Sequence, residues 1–259
     1  MNTILALAGV VLKELYRRKD FYVLFVLTAL LTLLMGSVNF FHDRNIVRYL
    51  REICLLLIWM SALVIAITTT ARQLPAEREQ RTIFPLLAKP VTRGQVLAGK
   101  FLGCWLACGV ALLVFYAFLG VVSGARAGQW PVWQYLQVFW LHWVMLGIVV
   151  AFVLFGSLVF AAPSSNATIS FVLVLGILYL GRYLNNIALQ QPEPMRTVVY
   201  TVYFLIPHLE WYDVRDLLVY EKGLIGWVNC GLVTLYGAAY SGLLLFAAWL
   251  VFRRKRLNL

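Results

Sequence analysis

Long uncharged runs alternate with short charged ones along this chain. No Asp, Glu, Lys or Arg occurs in residues 21–41, 53–71, 101–125, 127–181 or 223–252, and about 20 mostly apolar residues suffice for an α-helix to cross a bilayer. The fourth run is long enough for two crossings, with "AAPSSNAT" at 161–168 supplying the turn between them. The pattern predicts an all-α polytopic membrane protein with six spans, at about 21–41, 53–71, 101–125, 138–161, 167–182 and 228–252. Basic residues precede the first run as they would in a secretory signal. However, its 21 uncharged residues exceed a signal's apolar core and no small-residue cleavage site follows "GSVNFFHDR", so it reads as a retained span.

Three shorter segments carry a different rhythm. In residues 3–19, Ile4, Leu7, Ala8, Val11, Leu12 and Leu15 recur at i, i+3, i+4 spacing, which predicts an amphipathic interfacial helix at the N-terminus. Lys13, Arg17 and Arg18 form its basic rim, serving as a membrane anchor or as a docking surface for a partner. The segment "PAEREQRTIFPLLAKPVTRGQVLAGKFLG", residues 75–103, is ionic and broken by proline. Thr82 can cap a short helix with Ile83, Leu86 and Leu87 on its apolar face, Pro85 falling in the first turn where its missing amide costs little. Glu77 and Glu79 precede that helix, where its dipole favours them. After "KPV", Thr92 and Gln95 form a capping box that opens a helix continuing into the third span. A helix-turn-helix elbow projecting from the bilayer is expected. Between spans five and six, Thr197 to Ile206 is too short to cross; it either buries in the interface or re-enters where protein covers its backbone. Trp211, Tyr212 and Tyr220 then suit the headgroup boundary, and Glu210, Asp213, Arg215 and Asp216 are expected to face water.

Charge sets the orientation. The chain is 62% hydrophobic and 13% charged, against about 25% charged in a soluble domain. With six spans, fourteen Lys and Arg fall on the side of the termini and the elbow, eight on the other, while acids divide four against seven. Cytoplasmic loops are enriched in Lys and Arg, so both termini and the elbow are expected to be cytoplasmic and the 182–222 segment to lie outside. Topology and anionic lipid thereby account for the net +11, and no nucleic-acid partner is implied.

Candidate chemistry is sparse. Cys54, Cys104, Cys108 and Cys230 all fall within predicted spans and behave as small buried hydrophobes. Neither a metal site nor a disulfide framework is implied. His42, His142 and His208 lie in separate regions, and no span carries an acidic or basic residue at mid-membrane, the usual mark of ion-coupled carriers. No catalytic residue is assigned; an intramembrane enzyme would need His142 beside an acid in a wet cavity. "GQVLAGK" at 94–100 fits part of a P-loop, but Phe101 stands where a hydroxyl should hold magnesium and no strand precedes it. The sequon at Asn166 falls in a turn placed in the cytoplasm and is read as chance. Five scattered Met residues give no copper signal, and the substrate stays unassigned.

In order, "LKELYRRKDF", "EREQRTIFPLLAKPVTRGQVLAGKFLG", "IPHLEWYDVRDLLVY" and the terminal "FRRKR" make the whole chain resemble a permease of the ABC-2 family, the membrane subunit of type V ABC exporters. It departs from the family's pattern with Arg81 where Gly is usual and with Pro85 inside the short helix. The resemblance implies that residues 1–259 form one transmembrane domain of a multi-pass inner-membrane protein, with a cytoplasmic coupling helix between spans two and three. It implies two copies of a separate ATP-binding subunit, which would hold ATP and magnesium, none being bound by this chain. By position, Glu77, Arg78, Glu79, Arg81, Thr82 and Arg93 are the expected ATPase contacts. A second permease, identical or related, completes the pathway, with membrane lipid around it. An alternative within the resemblance is mechanical work on a soluble partner outside.

Overall fold

The computed structural model describes residues 2–17, 22–23, 25–27, 29–30, 33, 46–75, 91–160, 162–190 and 192–254. Every regular element among them is helical: α1 (Asn2–Arg17), α2 (Ile46–Ala71), α3 (Arg93–Ala127), α4 (Val132–Val159), α5 (Pro163–Gln190), α6 (Met195–Leu205), a 3-10 turn (Leu209–Tyr212), α7 (Asp216–Val219) and α8 (Trp227–Arg254). Five helices, α2, α3, α4, α5 and α8, are long and apolar enough to cross a membrane. The first expected span, 21–41, lies largely outside the described residues. Those of it that are described are helical, and Phe25 packs its ring 5.7 Å from Phe115 of α3.

Some spans outrun the uncharged windows, because helices continue past the first charge: α2 begins at Ile46 rather than 53 and carries Arg48, Arg51 and Glu52, and α3 runs from Arg93 to Ala127 around the window 101–125. Within its uncharged window, α4 begins at Val132 rather than 138. The turn expected at 161–168 is also shorter. Pro163 opens α5, a position where its missing amide is harmless. Asn166 is already helical and fully buried, donating Nδ2 to the Val153 carbonyl at 3.2 Å. Its side chain sits against Gly156, where a Cβ would collide with Oδ1.

At the centre lies α4, buried almost throughout from Val144 to Leu154, with α2, α3 and α8 around it. Between α3 and α4 stands a reciprocal clasp: Trp105 Nε1 donates to the Trp143 carbonyl at 2.9 Å and Trp143 Nε1 to the Trp105 carbonyl at 3.0 Å, the rings stacked 4.6 Å apart. Gly109 and Gly147 leave the space these rings fill. The capping box forms as expected, with the Gln95 N–H donating to Thr92 Oγ1 at 3.3 Å and the Thr92 N–H to Gln95 Oε1 at 2.9 Å. At its far end α3 stops on Gly128, whose φ of 67° suits a residue without Cβ and whose N–H reaches the Gly124 carbonyl at 2.9 Å.

The stripe of α1 is the one predicted, but its partner is protein. Ala8 and Val11 are 2% exposed and pressed on Gly103 of α3, while Leu7 and Ile4 meet Gly99. Two glycines four apart let the helix backbones approach closely. Leu5 and Val10 remain exposed on other faces of the same helix.

Candidate functional site

Two regions bring polar groups together inside the helical frame. The first surrounds the elbow. Residues 76–90, and with them Glu77, Arg78, Glu79, Arg81 and Thr82, lie outside the described residues, as does Arg18; of Arg17 only the helical backbone is described. Both ends of the elbow are described, however. Just before it, Gln73 is buried at the end of the α2 segment, donating Nε2 to Glu14 Oε2 of α1 at 3.2 Å. Just after it, Lys100 of α3 is 5% exposed and donates Nζ to Gln73 Oε1 at 2.9 Å. A buried ammonium needs such a partner. The chain Lys100, Gln73, Glu14 thus ties α3, α2 and α1 at one level. Arg93, at the first position of α3, directs Nη1 to the carbonyls of Phe252 and Arg253 at 2.6 and 3.0 Å. Those carbonyls end α8, where a cation is favoured. Lys13 is exposed on α1, close in sequence to this junction.

Toward the other end of α8, α6 lies on the bundle without a buried residue, and the chain after it is largely buried at 207–209, Tyr212 and 217–219. Tyr240 Oη donates to the Leu205 carbonyl at 2.6 Å, the His208 N–H to Tyr236 Oη at 3.1 Å, and Tyr212 Oη to the Val233 carbonyl at 2.8 Å. On the way back, Arg51 Nη1 donates to the Leu218 carbonyl at 3.1 Å and to Glu221 Oε1 at 2.7 Å. Gln137 exchanges two hydrogen bonds with the backbone of Ile225, at 2.9 and 3.1 Å. The turning point is deep. Tyr212 packs against Gly237 and Arg215 covers the ring of Trp59 at 5.1 Å. At a rise of about 1.5 Å per residue, Gly237 lies roughly 15 Å along α8 from Trp227, and Trp59 roughly 20 Å along α2 from Ile46. Residues 206–215 therefore reach near the middle of the spans.

Four ionisable residues travel with that turn. Asp213 accepts two hydrogen bonds from Arg215, from Nε at 2.7 Å and from Nη2 at 3.0 Å. His208 Nδ1 lies 3.2 Å from Glu210 Oε1. The side chains of Glu210 and Asp213 are each 11% exposed and that of Arg215 is 27%. The expectation that these three charges face water is thus corrected, and Tyr212, expected at the headgroup boundary, is buried as well. Pairing is the reason: a bidentate carboxylate–guanidinium contact and a histidine–carboxylate contact let charge lie inside a bundle. Of the four charges expected to face water, Asp216 alone keeps an exposed side chain, 3.7 Å from Lys222. The absence of mid-span charge in the sequence is likewise offset, since the 206–215 turn sets Glu210, Asp213 and Arg215 beside the middle of α2, where Arg215 covers Trp59.

Elsewhere the polar inventory stays structural. His142 stacks on Trp59 at 5.4 Å and its Nδ1 meets Tyr116 Oη at 3.3 Å, with no acid in hydrogen-bond contact. Cys54, Cys104, Cys108 and Cys230 are buried thiols outside any disulfide, and among the described residues no group of three His, Cys, Asp or Glu could hold a metal ion.

Against known families, residues 8–257 match the model of the ABC-2 family transporter protein. The chain belongs to the ABC-2 family. No curated protein matches it. Membership makes it a multi-pass membrane protein acting as the membrane domain of an ABC transporter, and it implies an ATP-binding partner. The polar junction around Gln73 and Lys100 and the buried 206–215 turn are thus features of an ABC-2 family chain. Neither the depth of the turn nor the pairing of its charges was legible beforehand. The one available signal was "LEWYDVRD", in which acid, aromatic and base alternate closely enough to pair locally.

Proposed function

We propose that this chain is the permease subunit of an ATP-driven exporter in a cell inner membrane, with residues 1–259 acting as one domain and both termini cytoplasmic. Two ATP-binding subunits, which hold ATP and magnesium, dock on the elbow, and a second permease completes the pathway. The permease hydrolyses nothing itself. The observation that carries the reading is the anchoring of the elbow. Its entry at Gln73 and its exit at Lys100 are tied to each other and to Glu14, and Arg93 ties the same helix start to the end of α8. A push on residues 76–90 is therefore delivered to α1, α2, α3 and α8 together instead of being absorbed by a loose loop.

Glu77, Arg78, Glu79, Arg81 and Thr82 are the proposed contacts with the ATPase. Arg93 acts beside them, one of its donors being committed to α8. Lys13, Arg17 and Arg18 hold α1 at the lipid surface. Reversing one docking charge tests the assignment: Glu79→Lys lowers ATPase stimulation by the reconstituted complex several-fold, while thermal unfolding of the permease is unchanged. Full ATP-driven transport by that variant would remove the elbow from the coupling path.

A further inference from the structure

Between α2, α5 and the re-entrant turn lies a cavity of about 190 Å³, lined by Trp59, Tyr179, Tyr183, Glu210, Asp213 and Arg215 among others. Among the described residues its charges do not cancel. Asp213 and Arg215 neutralise each other through two hydrogen bonds, and the guanidinium is further held over Trp59. Glu210 shares one oxygen with His208, but its Oε2 is buried and accepts no hydrogen bond from any described residue. It points along α5 at Gly181, where a side chain would collide with it. A covered carboxylate oxygen without a donor is costly to leave unmade, and a site of this depth in a membrane protein is where ionisable groups mark substrate paths.

We propose that this cavity binds the ammonium head of an amphipathic amine. An N–H of the ammonium donates to Glu210 Oε2, and the rings of Tyr179 and Tyr183, unlike that of Trp59, are left to attract a cation. The volume is below the 300–1,000 Å³ or so of pockets that enclose a whole drug-sized molecule. The head and its first carbons enter, and the apolar remainder leaves between Tyr179 and Tyr183, which are 71% and 61% exposed. Anions are disfavoured because Arg215, the cation among the described lining residues, is already committed to Asp213. That such an amine is the transported substrate rests on the permease reading; the binding itself does not.

The test uses the full chain without its ATPase, in nanodiscs of phosphatidylcholine, with monodansylcadaverine as the fluorescent primary amine. Saturable binding is expected, weakened at least 10-fold by Glu210→Gln and about 3-fold by Tyr183→Leu, which removes an exposed ring without touching the core. Glu193→Gln, an exposed carboxylate outside the cavity, leaves the affinity unchanged. A dansyl amide lacking the amine binds wild type and Glu210→Gln equally weakly. Adding phosphatidylethanolamine to the nanodiscs separates the sources: competition assigns the site to a lipid headgroup, and no competition to a free amine. Absence of saturable binding by folded wild type overturns the proposal, as does equal affinity in Glu210→Gln or unchanged affinity in Tyr183→Leu should the first variant not fold. None of these results bears on whether an ATPase docks, so the two readings fail separately.

Discussion

Arg51 shows how a single residue can hold two layers of the molecule. It is 1% exposed, and its Nη1 joins α2 to the returning strand of the re-entrant segment through Leu218 and Glu221. The Glu221 side chain is 61% exposed and can return to water if the arginine is lost; the Leu218 carbonyl cannot do so as easily. Hydrogen bonds from a charged group contribute about 1.5–3 kcal/mol. Arg51→Met is therefore expected to destabilise by about that amount, with the apolar stem retained to limit the cavity, while Glu221→Gln costs well under half as much. Thermal unfolding in detergent reads both; equal losses would mean that the exposed ion pair, and not the buried carbonyl contact, secures the segment. From sequence Arg51 was one of eight basic residues assigned to the far side. Its burial depends on a partner 167 positions away, which no local pattern can announce.

Helices were the most legible level, because the signals that define them are local. The stripe in α1, the capping box at Thr92 and the apolar lengths of five of the six expected spans each follow from a few neighbouring residues, and each reappears among the described residues. What failed was whatever depends on packing: the helix start at Pro163, the protein partner of α1, and the depth of the 206–215 turn. Glycine patterns held part of that information. Gly99 and Gly103 face α1, and a Cβ on Gly103 would stand 2.7 Å from Val11 Cβ and 3.0 Å from the Ala8 backbone. Backbone cannot swing aside as a side-chain tip can. Overpacking of this kind costs about 1–3 kcal/mol, so Gly103→Leu should free α1 and make it sensitive to protease. Gly176→Leu, with nothing within 4 Å, should leave it protected. Protection of α1 in both variants would show that lipid, and not α3, holds the helix.

At the scale of the whole molecule, α1 with the adjoining ends of α2 and α3, and the end of α8 tied to α3 by Arg93, form one polar junction, and the 206–215 turn forms another near the middle of the helices. Both are fastened to the same helices: α2 carries Gln73 and Trp59, and α8 carries the carbonyls bound by Arg93 as well as Tyr236 and Tyr240. A displacement imposed at the elbow therefore has two continuous helices along which to reach the ionic turn, roughly half a span away. The ATP-binding partner is implied by family, and its place of docking is the central claim. Purifying the tagged chain from its native membrane in mild detergent and identifying what accompanies it by mass spectrometry tests that claim most directly. A stoichiometric protein with a complete P-loop, lost when Glu77, Glu79 and Arg81 are replaced together in a chain that still folds, is the predicted result. A permease that purifies alone, or one that keeps its ATPase after all three replacements, would contradict it.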